Sequence, residues 1–198
     1  MPDIILLSGS SSVGKTSVAR AIQQTSNLPY VLIGIDMFIE SLPQQYWDRA
    51  TSVQEIRSDE LAKLGFHYAK PGEDGNNYDC PDVRFGTVAQ RVMDGMHQCI
   101  GLLAELGNKV IVDHVFLEEQ WYHDLMNCLK GRDVLKVKLF CAKEELEKRE
   151  KARGDRMIGT AWTWQNKVHW DINYDLEIDT TKMPSEEIAA LVLKQSKN

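Results

Sequence analysis

The sequence predicts an α/β fold built on a parallel sheet, and two observations predict it. Short apolar runs that read as strands alternate with stretches of helical period along most of the 198 residues, the pattern of repeated strand–helix–strand units. The first such unit is joined by Gly9-Ser10-Ser11-Ser12-Val13-Gly14-Lys15-Thr16-Ser17, which fits G-x-x-x-x-G-K-[ST]. In that spacing, glycines let backbone N–H groups crowd around phosphate oxygens, the lysine charge reaches the β- and γ-phosphates, and the hydroxyl ligates Mg²⁺. A short motif also occurs by chance, so its flanks decide. Ile4-Ile5-Leu6-Leu7 before it is a continuous apolar run suited to a buried parallel strand. Val18, Ala21 and Ile22 after it recur at i, i+3 and i+4, so a helix begins at Lys15 with its N-terminus on the loop. A glycine-rich turn without a ligand would need none of this. The context favours a nucleoside triphosphate site over residues 9–17.

The remaining elements follow in order. Leu28-Pro29 breaks the chain, and residues 30–35 read as a second buried strand ending at Asp36. Residues 37–42 suit a short helix stopped by Pro43. Residues 44–81 are the hardest to read: they hold Tyr46, Trp47, Phe66, Tyr68 and Tyr78 together with the polar turn-rich run 70–77, and a helix is expected over 53–64. Loops of this length inside a domain often cover binding sites. Val88, Val92, Met96, Cys99/Ile100, Leu103 and Leu106 then mark the buried stripe of a long helix, closed by Gly107-Asn108. Strands are expected at 110–112, ending at Asp113, and at 134–140, with a helix at 118–129 between them. A charged helix at 143–152 shows little apolar face beyond Leu146, and 162–170 is another helical stretch. Residues 174–178 alternate as a half-exposed edge strand does. Pro184 suits the first turn of a last helix that buries Ile188, Leu191 and Val192.

Composition narrows the class. Charged residues make up 26% and hydrophobic ones 43%, and the net charge of −6 argues against general nucleic-acid binding. The four cysteines are widely spaced and form no C-x-x-C pair, which favours thiols in a reducing cytosol over zinc. No run is long enough to span a membrane, and the N-terminus lacks a basic leader, so a cytoplasmic protein is expected.

In a parallel sheet, ligands gather outside the carboxyl ends of the strands. That rule brings the phosphate loop, Asp36 and Asp113 together. Asp113 ends the apolar run Lys-Val-Ile-Val, where a carboxylate would hold Mg²⁺ or one of its waters; the alternative is a turn or helix cap. Asp36 is equally a helix N-cap or a base that takes the proton of an attacking hydroxyl. His114 is open between a structural and a chemical role. Arg149 and Arg153 stand at i, i+4 and Arg156 follows Gly154, so the three are either an exposed charged face or a set of cations closing on a transferring phosphoryl, with Asp155 orienting one of them. The three nearby tryptophans, Trp162, Trp164 and Trp170, read by default as core. Neither an N-K-x-D guanine motif nor a D-x-x-G switch is present, which leaves a small-molecule kinase.

These stretches together resemble the chloramphenicol phosphotransferase family, within the shikimate-kinase-like and adenylate-kinase-like P-loop kinases. The likeness lies in residues 4–17, in Gly34-Ile-Asp-Met-Phe-Ile-Glu-Ser-Leu-Pro43, in Val110-Ile-Val-Asp-His-Val-Phe-Leu117, and most specifically in Arg149-Glu-Lys-Ala-Arg-Gly-Asp-Arg156. Val168-His169 and Tyr174-Asp-Leu-Glu-Ile-Asp-Thr-Thr181 support it. The resemblance implies a P-loop NTPase domain over residues 1–198, three-layered α/β/α, with a five-stranded parallel sheet in order 2-3-1-4-5. It also implies ATP- and Mg²⁺-dependent phosphorylation of a hydroxyl on a small molecule. In that frame Asp36 is the general base, Lys15 and Thr16 belong to the phosphate loop, Arg149, Arg153 and Arg156 form a lid near 149–165, and Thr180 and Thr181 approach the adenine. Two departures stand out. His114 replaces a second aspartate, and the acceptor-side segment 44–82 is longer and different, so the acceptor itself does not carry over. A nucleoside or nucleotide kinase and a nucleotide-sensing or toxin-like module remain alternatives, and oligomeric state is open.

Overall fold

The computed structural model of the chain describes residues 1–73, 75–77 and 79–195. Strand β1 (Ile4–Ser8) leads through the phosphate loop into α1 (Lys15–Thr25), then β2 (Tyr30–Gly34) and α2 (Ile35–Glu40). Helix α3 (Glu60–Leu64) precedes an antiparallel hairpin, β3 (Phe66–Ala69) and β4 (Asp82–Phe85), and α4 (Thr87–Glu105) follows it. The chain then runs through β5 (Lys109–His114), α5 (Glu119–Cys128), β6 (Val134–Phe140), α6 (Lys143–Arg153), α7 (Thr160–Lys167), β7 (Leu176–Asp179) and α8 (Ser185–Gln195). Five of the strands form one parallel sheet in the order β2-β5-β1-β6-β7. Counting only those five along the chain, this is the expected 2-3-1-4-5. The hairpin, which no local pattern announced, shifts the numbering.

The continuous apolar run of β1 has a direct cause. Ile4 and Leu6 pack into one core with α4 and α5, while Ile5 and Leu7 pack into a second core with α1 and α8. A strand covered on both faces has no reason to alternate. Register then levels the strand ends: Leu7 and Gly34 both pair with Asp113, and Ser8 pairs with His114. The loops after β1, β2 and β5 therefore open onto one edge, where ligands bind in such sheets. Among the described residues no helix is long and apolar enough to cross a membrane.

Several local expectations are corrected. The helix expected over 53–64 is a 3₁₀ turn, Val53–Glu55, followed by α3. Asp48 Oδ2 takes the Arg57 N–H at 2.9 Å, and Asp59 caps α3 by accepting from Ala62 N at 3.1 Å, so the helix restarts there. On α4 the buried face is Ala89, Met93, Met96, Ile100 and Ala104, whereas Cys99 and Leu106 are exposed. The true stripe includes small residues that a search for large apolar ones passes over. Leu191 of α8 is likewise exposed, and Ala189 takes the buried place beside Ile188 and Val192. The three tryptophans near the lid do not form one cluster. Trp164 enters the α4-side core, Trp162 packs on the opposite core, and Trp170 lies beyond α7 with its indole N–H donated to Phe116 O at 2.8 Å. Asp74 and Tyr78, part of the hard-to-read segment, lie outside the described residues.

Candidate active site

The phosphate loop is held from beneath and from one side. At Gly9 an added Cβ would stand 2.4 Å from Leu139 O on β6, so only glycine lets the loop leave β1 here. Gly14 adopts φ +98° and Ser12 φ +61°, the left-handed turns that curl the backbone into a cradle. Lys15 is buried, and its Nζ donates to Ser10 O at 2.8 Å while lying 3.7 Å from Asp113 Oδ1. Burial pushes the Lys15 pKa down, against the upward pull of the Asp113 and Asp36 carboxylates. Thr16 Oγ1 donates to Asp113 Oδ2 at 2.5 Å. A hydroxyl oxygen and a carboxylate oxygen thus converge beside a lysine, a donor set that suits a hard cation such as Mg²⁺. Asp113 caps neither a helix nor a turn.

Asp36 faces the same space. It is exposed in the first turn of α2, whose cap position is Gly34 with no side-chain cap bond, so the N-cap alternative is not realised. A cavity of about 740 Å³ runs from the phosphate loop, lined by Ser11 through Ser17, to a second end beyond Asp36. There the wall is mostly apolar and aromatic: Ile39, Trp47, Phe66, Phe85, Leu117 and Trp164. Tyr68 also lines it, and burial raises its phenol pKa to about 12. The Arg49 guanidinium stacks over Trp47, 3.8 Å from the ring centre. Much of this wall comes from the segment that could not be read locally, and its floor is the unforeseen hairpin.

The arginines occupy distinct places. Arg149 is wedged at the nucleotide end: its Nη2 donates to Thr180 O at 2.9 Å, and its Nη1 approaches Ser12 O and Val13 O at 3.4 Å. Glu145 accepts from its Nε at 3.0 Å. Arg156 reaches across the opening and donates to Ser11 Oγ. Asp155 takes both neighbours, Arg153 Nη2 and Arg156 Nε, each at 3.0 Å. Arg153 lines the cavity but is exposed.

Not every expected residue lines the cavity. Gly9 and Ser10 support the loop from below. Thr180 donates to Val13 O at 2.8 Å, but Thr181 is turned away and accepts from Ala142 N at 2.9 Å at the start of α6. For His114 the structural of its two readings is the one realised. It is fully buried, its Nε2 lies 3.1 Å from His97 Nε2, and its ring stacks on Phe116. Alternation along β5 explains this: Asp113 points to one side of the sheet edge and His114 to the other. Among the described residues, three buried carboxylates escaped the sequence reading: Asp48, which accepts from Ala50 N and Arg57 N, Asp82 and Glu150. Asp82 accepts from Trp164 Nε1, Lys167 Nζ and Arg84 Nη1. Glu150 accepts from Gly159 N, Ala161 N and Thr160 Oγ1. Glu150 gave no signal because it sits in a helix made almost wholly of charged residues of both signs.

Comparison with known proteins gives a consistent placement. The family profile described as "Chloramphenicol phosphotransferase-like protein" matches residues 2–197. A Mycobacterium tuberculosis chain named "Putative O-phosphotransferase" is 31% identical over 191 residues, covering 96% of this chain and 80% of that relative. Among solved structures, the M. tuberculosis APS kinase in complex with AMPPNP and APS superposes with a TM-score of 0.62 at 16% identity, covering 98% of this chain and 97% of that one. Shikimate kinase from Acinetobacter baumannii, in complex with shikimate, gives 0.55 at 12% identity, covering 100% and 93%. The tunicamycin resistance protein of Deinococcus radiodurans gives 0.60 at 17%, covering 98% and 94%. At these identities the structural likeness establishes the fold.

Proposed function

The chain belongs to the chloramphenicol phosphotransferase-like family, and from that premise we propose that it is an ATP-dependent O-phosphotransferase acting on a hydroxyl of a small molecule. The observation that carries this is the single cavity in which Lys15, Thr16, Asp113, Asp36 and Arg156 all have a place, with the phosphate loop at one end and an apolar wall at the other. Residues 11–17 would hold the phosphates of ATP, in the same cavity as Asp36. Thr16 and Asp113 are the residues that would hold Mg²⁺, which when bound neutralises charge on the phosphates. Asp36 accepts the proton of the acceptor hydroxyl as its oxygen forms the new bond to the γ-phosphorus. The bond to the bridging oxygen breaks, and ADP departs with the electron pair. Lys15, Arg149 and Arg156 meet the charge spread over the phosphoryl oxygens.

The acceptor wall supports an alcohol with a bulky apolar body. Its charged members are Asp36, Glu40 and Asp48 beside Arg49, an acidic balance that repels a phosphate-bearing acceptor and ranks a nucleotide kinase second. The family resemblance does not choose the alcohol. The test is ATP consumption with chloramphenicol, aminoglycosides, macrolides, nucleosides and shikimate-like alcohols, for the unaltered protein and Asp36→Asn side by side. One alcohol should accelerate ATP loss, and Asp36→Asn should cut that increment by roughly 10²–10⁴-fold. Slow ATP turnover that no acceptor stimulates and Asp36→Asn does not change would instead favour a nucleotide-sensing module.

A further inference from the structure

Between α6 and α7 the chain makes a short excursion, residues 154–159, that carries Asp155 and Arg156 over the phosphate loop. In such an excursion a cation would ordinarily be mobile, because glycine, the most conformationally free residue, bounds it at Gly154 and Gly159. Here one side chain ties the far end of the excursion back to the helix that precedes it. Glu150 is fully buried on α6. Its Oε2 accepts from Gly159 N at 2.7 Å, and its Oε1 accepts from Ala161 N at 2.8 Å and lies 3.0 Å from Thr160 Oγ1. One carboxylate from the outgoing helix thus caps the incoming one, where the orphan N–H groups and the helix dipole favour it.

Helix α7 is itself a fixed frame. Gln165 brackets the backbone of Cys141 at the end of β6, accepting from its N–H and donating to its carbonyl, both at 2.8 Å. On another face Trp164 and Lys167 donate to the buried Asp82 of the hairpin, at 3.1 and 2.8 Å. The sheet, the acceptor-side hairpin and α6 therefore all grip α7. Buried Met157 pins the middle of the excursion, and Arg156 beside it donates to Ser11 Oγ.

We propose that Glu150 is a positioning residue for phosphoryl transfer, acting through Arg156 by clasping the far end of the 154–159 excursion, at the start of the anchored α7, back to α6. This rests on the phosphotransferase reading. Glu150 touches no reacting atom. Replacing it with glutamine sets an amide N–H against an N–H of the Gly159–Ala161 turn, which loosens the clasp while preserving volume. An arginine displaced by about 1 Å loses up to roughly 10²-fold of its effect on the reacting group.

The experiment compares the unaltered protein, Glu150→Gln, Arg156→Ala and the double variant. Two ligands serve as probes: Mg·ADP alone, and Mg·ADP with aluminium fluoride, which stands in for the transferring phosphoryl. Mg·ADP affinity should stay within about threefold in Glu150→Gln, since Glu150 itself bonds to none of residues 11–17, whereas retention of the fluoride complex should fall at least tenfold. The double variant should be no weaker than Arg156→Ala, because the two act as one unit. Trypsin should cut after Arg153 or Arg156 at least tenfold faster once the clasp is loosened. If Glu150→Gln does not fold, Thr160→Val, which removes one partner, carries the same comparison with smaller effects. Unchanged fluoride retention, or losses that multiply in the double variant, would overturn the positioning role. Failure of the unaltered protein to bind Mg·ADP would overturn the phosphotransferase reading and this role with it, while the tryptic rates would still report the clasp.

Discussion

Gly9→Ala tests whether the phosphate loop is placed by the close passage of two backbones. The new Cβ would lie 2.4 Å from Leu139 O and 3.0 Å from Val13 Cγ2. Carbon tolerates a carbonyl oxygen at about 3.3 Å, so β1 and β6 must part by about 0.9 Å at this point. Leu139 O belongs to the backbone of a central strand and cannot rotate out of the way. Forced separation of this kind costs about 1–3 kcal/mol. For a chain of this size that is a Tm lower by about 2–12 °C. The shift also carries the loop from under the phosphates, and a displacement near 1 Å corresponds to as much as roughly 10²-fold in function. The assays are a thermal melt and calorimetric titration with Mg·ADP. Gly72→Ala is the control for backbone strain without a steric contact: unlike Gly9 it has positive φ, +79°, and nothing lies within 4 Å of its added Cβ. It should lose about 1–2 kcal/mol to left-handed strain and bind Mg·ADP normally. If Gly9→Ala melts within 1 °C of the parent, on the order of measurement error, and keeps its affinity, the contact with β6 does not position the loop.

Two pH dependences follow from buried groups. The Lys15 pKa lies below its ordinary 10.5, chiefly through burial, so in the window beneath 10.5 the unfolded chain holds a proton that the native one has shed. Stability of the free protein should therefore rise with pH across that window while Mg·ADP affinity falls, and Lys15→Met should flatten both slopes; parallel slopes would contradict this. At the acid end, burial lowers the pKa of His97 and of His114, and it takes His169 from 6.5 to about 4. Below pH 6.5 the unfolded chain gains protons that the native histidines refuse, so stability should drop as pH falls toward 4. Urea midpoints at pH 7.5 and 5.0 measure it, and His169→Gln, which leaves Tyr174 a partner, should reduce the difference.

The sequence by itself determined what depends on neighbours along the chain. The apolar run of β1, the Gly9–Ser17 spacing and the helical period after Lys15 are local, so the phosphate loop was legible without a structure. Asp36 and Asp113 were legible for a related reason: strands that end at one sheet edge bring their following residues together by topology. The tertiary structure decided everything that required knowing which face a residue turns. His114 was open between a structural and a chemical role beside Asp113, and strand alternation sends it to His97. Thr181 looked like Thr180, yet the turn after β7 points it at α6. The hairpin β3–β4 is short, irregular in composition and stabilised by packing on α4 and α7, so no period marks it. Glu150 and Asp82 lie deepest in this category. A glutamate in a helix of charges reads as solvated, and its burial becomes tolerable only because the chain folds back after Gly154 so that the next helix presents its first N–H groups to it, a geometry that no residue pattern announces.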